Sequence, residues 1–108
     1  MAITENIEFV RGEDVTIEVT VTGVNIAGWA LSFAIARSRR DTAIITKTVG
    51  SGITITDEDN GVFEITIPDT DTDGIPVGPC VWDVKRSDAG HEAVLTRGKL
   101  ELLPNVAE

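Results

Sequence analysis

The residues with the clearest potential for chemistry are three aspartates in the run Asp69-Thr-Asp-Thr-Asp-Gly74. Carboxylates at positions one, three and five with a glycine at six match the first half of a calcium-binding EF-hand loop. The second half does not match, because Cys80 stands where the closing bidentate glutamate is needed. Asp69, Asp71 and Asp73 are therefore a weak calcium candidate, and the favoured interpretation is a turn whose aspartates cap backbone amides.

The chain holds one histidine, His91, and one cysteine, Cys80. A catalytic nucleophile needs an adjacent base and a group that orients that base, and nothing in the spacing brings these two residues together. Cys80 shares the alternation of Trp82 and Val84, which favours a buried thiol. Because no nucleophile, base and acid form a recognisable set, the sequence predicts a protein that is not an enzyme and has no cofactor.

Two short runs of like charge fall between the apolar segments. Asp57-Glu-Asp59 carries three carboxylates, which could hold a cation, but a charged turn that keeps the surface soluble is favoured. Arg37-Ser-Arg-Arg40 could contact a phosphate, but a solvated loop tip is favoured. We therefore assign neither a metal site nor a phosphate site to these runs.

Length and charge restrict the possible functions. The 108 residues correspond to one domain, 1–108. Eighteen acidic residues against nine basic ones give a net charge of −9, which repels phosphate backbones and anionic membranes. No apolar run approaches the ~20 residues of a membrane span, and the first residues lack the features of a signal peptide. We expect no nucleic-acid partner, no membrane partner and synthesis in a cytoplasm.

Alternation of apolar and polar residues predicts strands along most of the chain. In 15–21, valine and isoleucine alternate with threonine and glutamate, so one face points to a core and the other to water. The turn-forming pair Asn60-Gly61 joins the alternating runs 53–56 and 62–67, the pattern of an antiparallel hairpin. Segment 29–36 has large apolar residues on one face and small ones on the other, which indicates a central strand or one covered on both sides.

The predicted fold class is all-β, an immunoglobulin-like antiparallel β-sandwich of about eight or nine strands, with a small barrel as the alternative. For 26–37 a helix is the less favoured alternative. A helical turn over 71–75 is expected to bridge two sheets, and Gly98 is expected to form a bulge. The expected strands are 6–10, 15–21, 29–36, 43–48, 53–56, 62–67, 80–85, 93–96 and 99–103. The expected core contains both tryptophans and includes Val15, Ile17, Val19, Leu31, Phe33, Ile35, Ile65, Trp82 and Val84.

Several motifs together resemble a known family. In chain order they are Thr54-Ile-Thr-Asp57, Gly61-Val-Phe-Glu-Ile-Thr-Ile67, Ile75-Pro-Val-Gly78, Val81-Trp-Asp-Val84 and Thr96-Arg-Gly-Lys-Leu-Glu-Leu102. The chain resembles, over nearly its whole length, small immunoglobulin-like β-sandwich structural proteins of tailed bacteriophages and prophages, and is similar to the N-terminal domain of baseplate upper proteins. Such proteins usually carry an aromatic residue where this chain has Cys80, so the local core packing is expected to differ.

The resemblance implies a virion component, made in the host cytoplasm, that builds a tail, baseplate, neck or head surface through protein contacts, as an attachment or capsid decoration protein. Its implied partners are other virion proteins, in a homo-oligomer or in many copies on a particle. The arm Met1–Glu5 and the apolar tail 102–106 outlast the predicted strands, and a neighbouring subunit would anchor them. The alternative is a surface adhesion or carbohydrate-binding immunoglobulin-like module, which the absence of tyrosine disfavours.

Overall fold

The computed structural model describes residues 3–10, 12–21, 24–88, 90 and 92–104, without the side chains of 3–9 and of Asp73. Nearly all of this chain is β-structure, as the alternation predicts. The strands are β1 (Ile3–Val10), β2 (Val15–Thr20), β3 (Leu31–Ala36), β4 (Ile45–Val49), β5 (Gly52–Asp57), β6 (Val62–Ile67), β7 (Gly78–Arg86) and β8 (Ala93–Leu103). A 3₁₀ turn, Glu58–Asn60, follows β5, and a short helix, α1 (Asp69–Asp73), follows β6. Within the described ranges, no helix has the length and apolar character to cross a membrane.

The strands described above form one hydrogen-bonded series in the order β1-β8-β7-β3-β4-β5-β6-β2. Neighbours are antiparallel, except that β1 is parallel to β8 and β4 is parallel to β5. The β4–β5 contact consists of two pairs, Thr48 with Gly52 and Val49 with Ile53. This short contact divides the series into a five-strand group, β1-β8-β7-β3-β4, and a three-strand group, β5-β6-β2.

The two groups share one core, because one face of each group is apolar. Their buried side chains belong to a single cluster: Ile26, Leu31, Phe33, Ile35, Ile45, Ile53, Phe63, Ile65, Ile67, Cys80, Trp82, Val84, Leu100 and Leu102. The rings of Phe33 and Trp82 lie tilted against each other with centroids 6.1 Å apart. The Trp82 indole Nε1 donates a hydrogen bond to the Lys99 carbonyl at 3.3 Å, so burial of this ring leaves no donor unsatisfied.

The hairpin predicted around Asn60-Gly61 is confirmed, since β5 and β6 pair antiparallel. The Asp57 carboxylate accepts hydrogen bonds from the Asn60 backbone N–H at 3.4 Å and from its Nδ2 at 2.8 Å. Gly61 then adopts a φ of 73°. A Cβ added at Gly61 would lie 2.3 Å from the Val21 carbonyl oxygen. Both the backbone conformation and the available space therefore require glycine at this turn.

Some predicted element bounds are wrong. β1 begins at Ile3 instead of residue 6, and residues 93–103 form one strand instead of two. The register shift lies between Val84 and Lys85 on β7 and not at Gly98. Leu102 is 3% exposed and pairs with Gly78, so the apolar tail predicted from this residue onward begins inside a strand. The reason is that β7 begins at Gly78, earlier than predicted, and pairs with the end of β8 on one side, while the end of β1 pairs with it on the other.

The predicted core is largely confirmed. Buried residues among those predicted are Leu31, Phe33, Ile35, Ile65, Trp82 and Val84. The β2 residues Val15, Ile17 and Val19 are half-buried against the same cluster. Trp29 is likewise half-buried and packs against the same cluster, and the Arg86 guanidinium carbon lies 4.0 Å over its ring centroid, a cation–π contact. The helical turn predicted over 71–75 forms at Asp69–Asp73.

Candidate interaction face

The outer face of β3 and β7 is built largely from small side chains. Successive residues of a strand point to opposite faces, so the face opposite the core carries Ala34 and Ala36. Across the antiparallel ladder, Ala34 is the partner of Asp83 and Ala36 is the partner of Val81. All four residues are half-buried, so a contacting molecule could reach the backbone here more closely than over larger side chains.

A hollow of about 130 Å³ lies on this outer face. Its lining residues come from β3, β7 and the loop between β3 and β4: Ala34, Ala36, Ser38, Arg39, Asp41, Ala43, Val81, Trp82 and Asp83. Its lining mixes apolar side chains with the charged side chains of Arg39, Asp41 and Asp83. A mixture of apolar and polar groups is typical of a protein contact surface.

The small outward residues of β3 could be predicted from the sequence, but the hollow could not. The small residues on one face of segment 29–36 predicted a central strand or one with a second cover, and β3 is indeed central, between β7 and β4. The hollow itself was not predicted, because it depends on the path of loop 38–43 relative to β7. Alanine at alternate positions on a solvent-facing strand is the signal that could have indicated it.

Charged side chains of both signs lie at the hollow, because Arg39, Asp41 and Asp83 are among its lining residues. Arg39 Nη1 lies 3.7 Å from Asp83 Oδ2, and the two side chains are 43% and 34% exposed, so this ion pair contributes little to stability. Arg97 pairs with Asp83 and Lys99 pairs with Val81 in the β7–β8 register, and both basic residues are exposed. We name this outer surface the basic face; it comprises Ser32, Ala34, Ala36, Val81, Asp83, Lys85, Arg97, Lys99, Glu101 and loop 38–43.

The outer surface of the three-strand group is acidic. Glu18 on β2 is the direct partner of Glu64 on β6, and Thr54 on β5 is the partner of Glu64 on its other side. None of the basic residues that the structure describes lies on this surface. We name it the acidic face; it comprises Thr16, Glu18, Thr20, Thr54, Thr56, Val62, Glu64, Thr66 and 57–59.

Arg37 is not part of a solvated loop tip, so the prediction for the run Arg37-Ser-Arg-Arg40 is wrong at its first residue. Its guanidinium donates hydrogen bonds to the Pro76 carbonyl, to the Pro79 carbonyl at 3.5 Å and to Cys80 Sγ at 3.3 Å. These bonds attach the start of β7 to the end of β3. Cys80 is 3% exposed, as predicted. Burial raises the pKa of its thiol, an effect that the positive charge of Arg37 partly offsets.

The calcium candidates do not converge on one point. α1 is a single helical turn, and its Asp71 Oδ2 lies 2.5 Å from Lys47 Nζ, an ion pair whose side chains are 28% and 16% exposed. Asp69 Oδ1 accepts from the Thr70 N–H at 2.9 Å, but the N-cap residue of α1 makes no side-chain capping hydrogen bond. Within the part of the chain that the structure describes, no three His, Cys, Asp or Glu side chains are placed to hold a metal; the Asp73 side chain lies outside it.

The remaining candidate residues have structural partners or lie outside the described chain. In the run Asp57-Glu-Asp59, Asp57 caps the 3₁₀ turn, and Asp59 Oδ1 accepts from Asn25 Nδ2 at 3.0 Å. This run therefore shapes a turn in addition to charging the surface. His91, the sole histidine of the sequence, lies outside the described residues.

Comparison with known proteins gives no family assignment. No family model matches the chain, and no curated protein sequence matches it. Among solved structures, it is similar to the extracellular domain of the voltage-gated sodium channel β4 subunit, with a TM-score of 0.42 and 15% sequence identity over 98% of this chain and 96% of that one. That domain is described as forming parallel homodimers that explain its role in cell–cell adhesion. A similarity at this TM-score carries no functional conclusion for this chain.

Proposed function

We propose that this chain is a non-enzymatic assembly module that uses the basic face to contact another protein. The observation that carries the proposal is the hollow of about 130 Å³ outside β3 and β7, next to the exposed Arg97 and Lys99 of β8, on a chain of net charge −9. A strand that faces solvent normally carries polar side chains, whereas Ala34, Ala36 and Val81 are among the residues that line this hollow. A partner that covers it buries apolar surface and gains electrostatic complementarity if it is acidic.

The finer architecture belongs to this proposal: an immunoglobulin-like sandwich in which the five-strand and three-strand groups pack face to face. A sheet without helices over it can bury a face only against another sheet. Phe33 on β3 and Phe63 on β6 are each fully buried, one in each group, and belong to the same cluster. The two-pair contact between β4 and β5 would then be where the chain passes from one layer to the other.

The proposed assembly is the virion of a tailed bacteriophage, at a tail, baseplate, neck or head surface, where the chain acts in attachment or capsid decoration. Its support is the sequence resemblance, which extends over nearly the whole chain. The proposed partners are other virion proteins and further copies of this chain.

The second candidate is the adhesion or carbohydrate-binding module. Sugar sites commonly use an open aromatic ring among a few polar groups. Of the aromatic side chains that the structure describes, Phe33, Phe63 and Trp82 are buried, and Arg86 stacks on Trp29. No described ring offers an open platform to a sugar. Adhesion to another protein would use the basic face as well, but on a cell surface instead of within a particle.

The proposal is tested by incorporation into particles. Virions purified from a host that produces this chain are analysed by quantitative mass spectrometry for its presence and copy number. We then introduce Ala36→Glu, which fills the hollow and adds a carboxylate where an acidic partner is expected. Incorporation should fall at least tenfold while the melting temperature stays near that of the wild type.

The matched control is Ala27→Glu, the same chemical change at an exposed turn remote from the hollow. This variant should be incorporated normally. Absence of the wild-type chain from purified particles would contradict the virion assignment, and its recovery on the cell surface would favour adhesion. Equal incorporation of the two variants would contradict the basic face as the contact surface.

A further inference from the structure

Two carboxylates face each other directly on the acidic face. Glu18 and Glu64 are partners across the antiparallel β2–β6 ladder, on the outer side of both strands. Like charges at directly opposed positions destabilise a sheet. Neither carboxylate takes part in an ion pair among the residues that the structure describes. Thr16 and Thr20, the neighbouring outward positions on β2, show that an uncharged side chain suits this surface.

Two cations stand at a matching spacing on the basic face. Arg97 and Lys99 lie two positions apart on β8, a separation of about 6.4–6.8 Å along a strand. Opposed residues such as Glu18 and Glu64 have Cα atoms about 4.5–5.5 Å apart. The glutamate, arginine and lysine side chains are long enough to span the difference between these two spacings. None of the ion pairs within the described chain involves Arg97 or Lys99.

We infer that copies of this chain dock front to back, with the basic face of one copy on the acidic face of the next, so that Arg97 and Lys99 of one meet Glu18 and Glu64 of the other. The inference rests on the proposed assembly function and names the partner of the same face. The partner is a second copy because this chain itself presents the complementary pair of carboxylates, Glu18 and Glu64. Such a heterologous contact repeats, and it generates a ring or a filament.

The charge of the whole chain sets the conditions for this contact. Two copies of net charge −9 repel each other at long range. At about 0.15 M ionic strength the Debye length is about 8 Å, which damps that repulsion and leaves contacting pairs less affected. Self-association is therefore expected at this salt concentration and should weaken as salt is raised towards 1 M, where the contact pairs themselves are screened.

The test uses two reversed variants and sedimentation velocity over a concentration series. One variant carries Glu18→Lys with Glu64→Lys, and the other carries Arg97→Glu with Lys99→Glu. The first retains two like charges in opposed positions, so its stability is matched to the wild type. The wild type should self-associate, and each variant alone should do so at least tenfold more weakly, because both of its faces then carry the same charge.

An equimolar mixture of the two variants should recover association, because each reversed face finds an oppositely charged face on the other chain. A wild type that stays monomeric over the series, or a mixture that stays dissociated, overturns the inference. If the wild type is monomeric but enters particles, and Ala36→Glu blocks that entry, the copy contact is wrong while the proposed function stands. If Arg97→Glu with Lys99→Glu is lost from particles and the glutamate reversal is not, the partner is an acidic surface of a different protein.

Discussion

The basic face and the acidic face are built on the same alternation but with different outer residues. Under both, the inward positions are large and apolar and belong to one core cluster. Outward, β3 and β7 carry alanine and valine around a hollow, with Arg97 and Lys99 on the adjacent β8, whereas β2 and β6 carry threonine and glutamate with two carboxylates opposed. The inward residues therefore determine the fold, and the outward residues distinguish the surfaces that are available to partners.

The largest predicted effect separates inward from outward positions on one strand. Trp82→Ala removes a ring that is 2% exposed and should lower the free energy of unfolding by about 3–5 kcal/mol. Val81→Ala, at the next residue, faces outward and should cost less than about 1 kcal/mol. Urea denaturation measures both. Similar losses for the two variants would mean that the assignment of inner and outer faces on β7 is wrong.

The next effect concerns the backbone that supports the acidic face. Gly61→Ala forces a positive φ of 73° on alanine and places its Cβ 2.3 Å from the Val21 carbonyl oxygen, so we expect a loss on the order of 2–4 kcal/mol. Gly28→Ala is the control, because Gly28 has a φ of 75° with no atom within 4 Å of the added Cβ. Its cost should be about 1 kcal/mol. If chemical denaturation gives equal losses of unfolding free energy for the two variants, the close approach between residue 61 and the Val21 carbonyl is contradicted.

A smaller effect tests the opposed carboxylates. Glu18→Gln removes the repulsion with Glu64 and should raise the free energy of unfolding of the monomer by about 0.2–1 kcal/mol. Glu13→Gln changes the net charge equally at an exposed residue between β1 and β2 and should leave stability nearly unchanged. Thermal denaturation at low protein concentration compares the stability of the two variants. A destabilised Glu18→Gln variant would contradict the repulsion.

The smallest effect concerns the acidic run in α1. Millimolar calcium should shift the melting temperature by less than about 2 °C, because a loop without its closing glutamate binds weakly and stabilisation grows only with the logarithm of ligand over Kd. Asp71 is also engaged with Lys47 at 2.5 Å. A larger rise that disappears in the variant Asp71→Asn with Asp73→Asn would restore these residues as a calcium site.

The strands were predictable where alternation was strict, and the faces were predictable with them. Segment 62–67 is an example, because a period of two determines both the strand and the side that is buried. The continuity of β8 does not follow from its pattern, because the sequence predicts a bulge at Gly98, whereas this residue lies within the strand opposite Trp82. The hollow and the Glu18–Glu64 opposition depend on loop path and on register between distant strands, which single-strand patterns do not contain.

The central claim, that the basic face is the contact surface, is tested most directly by lysine labelling. The chain has three lysines: Lys85 and Lys99 lie on the basic face, and Lys47 is paired with Asp71 away from it. Acetylation is quantified by mass spectrometry in the free protein and in purified particles. We predict that Lys85 and Lys99 become protected in particles while the reactivity of Lys47 is unchanged. Unchanged reactivity of Lys85 and Lys99 in particles that contain the chain would contradict the claim.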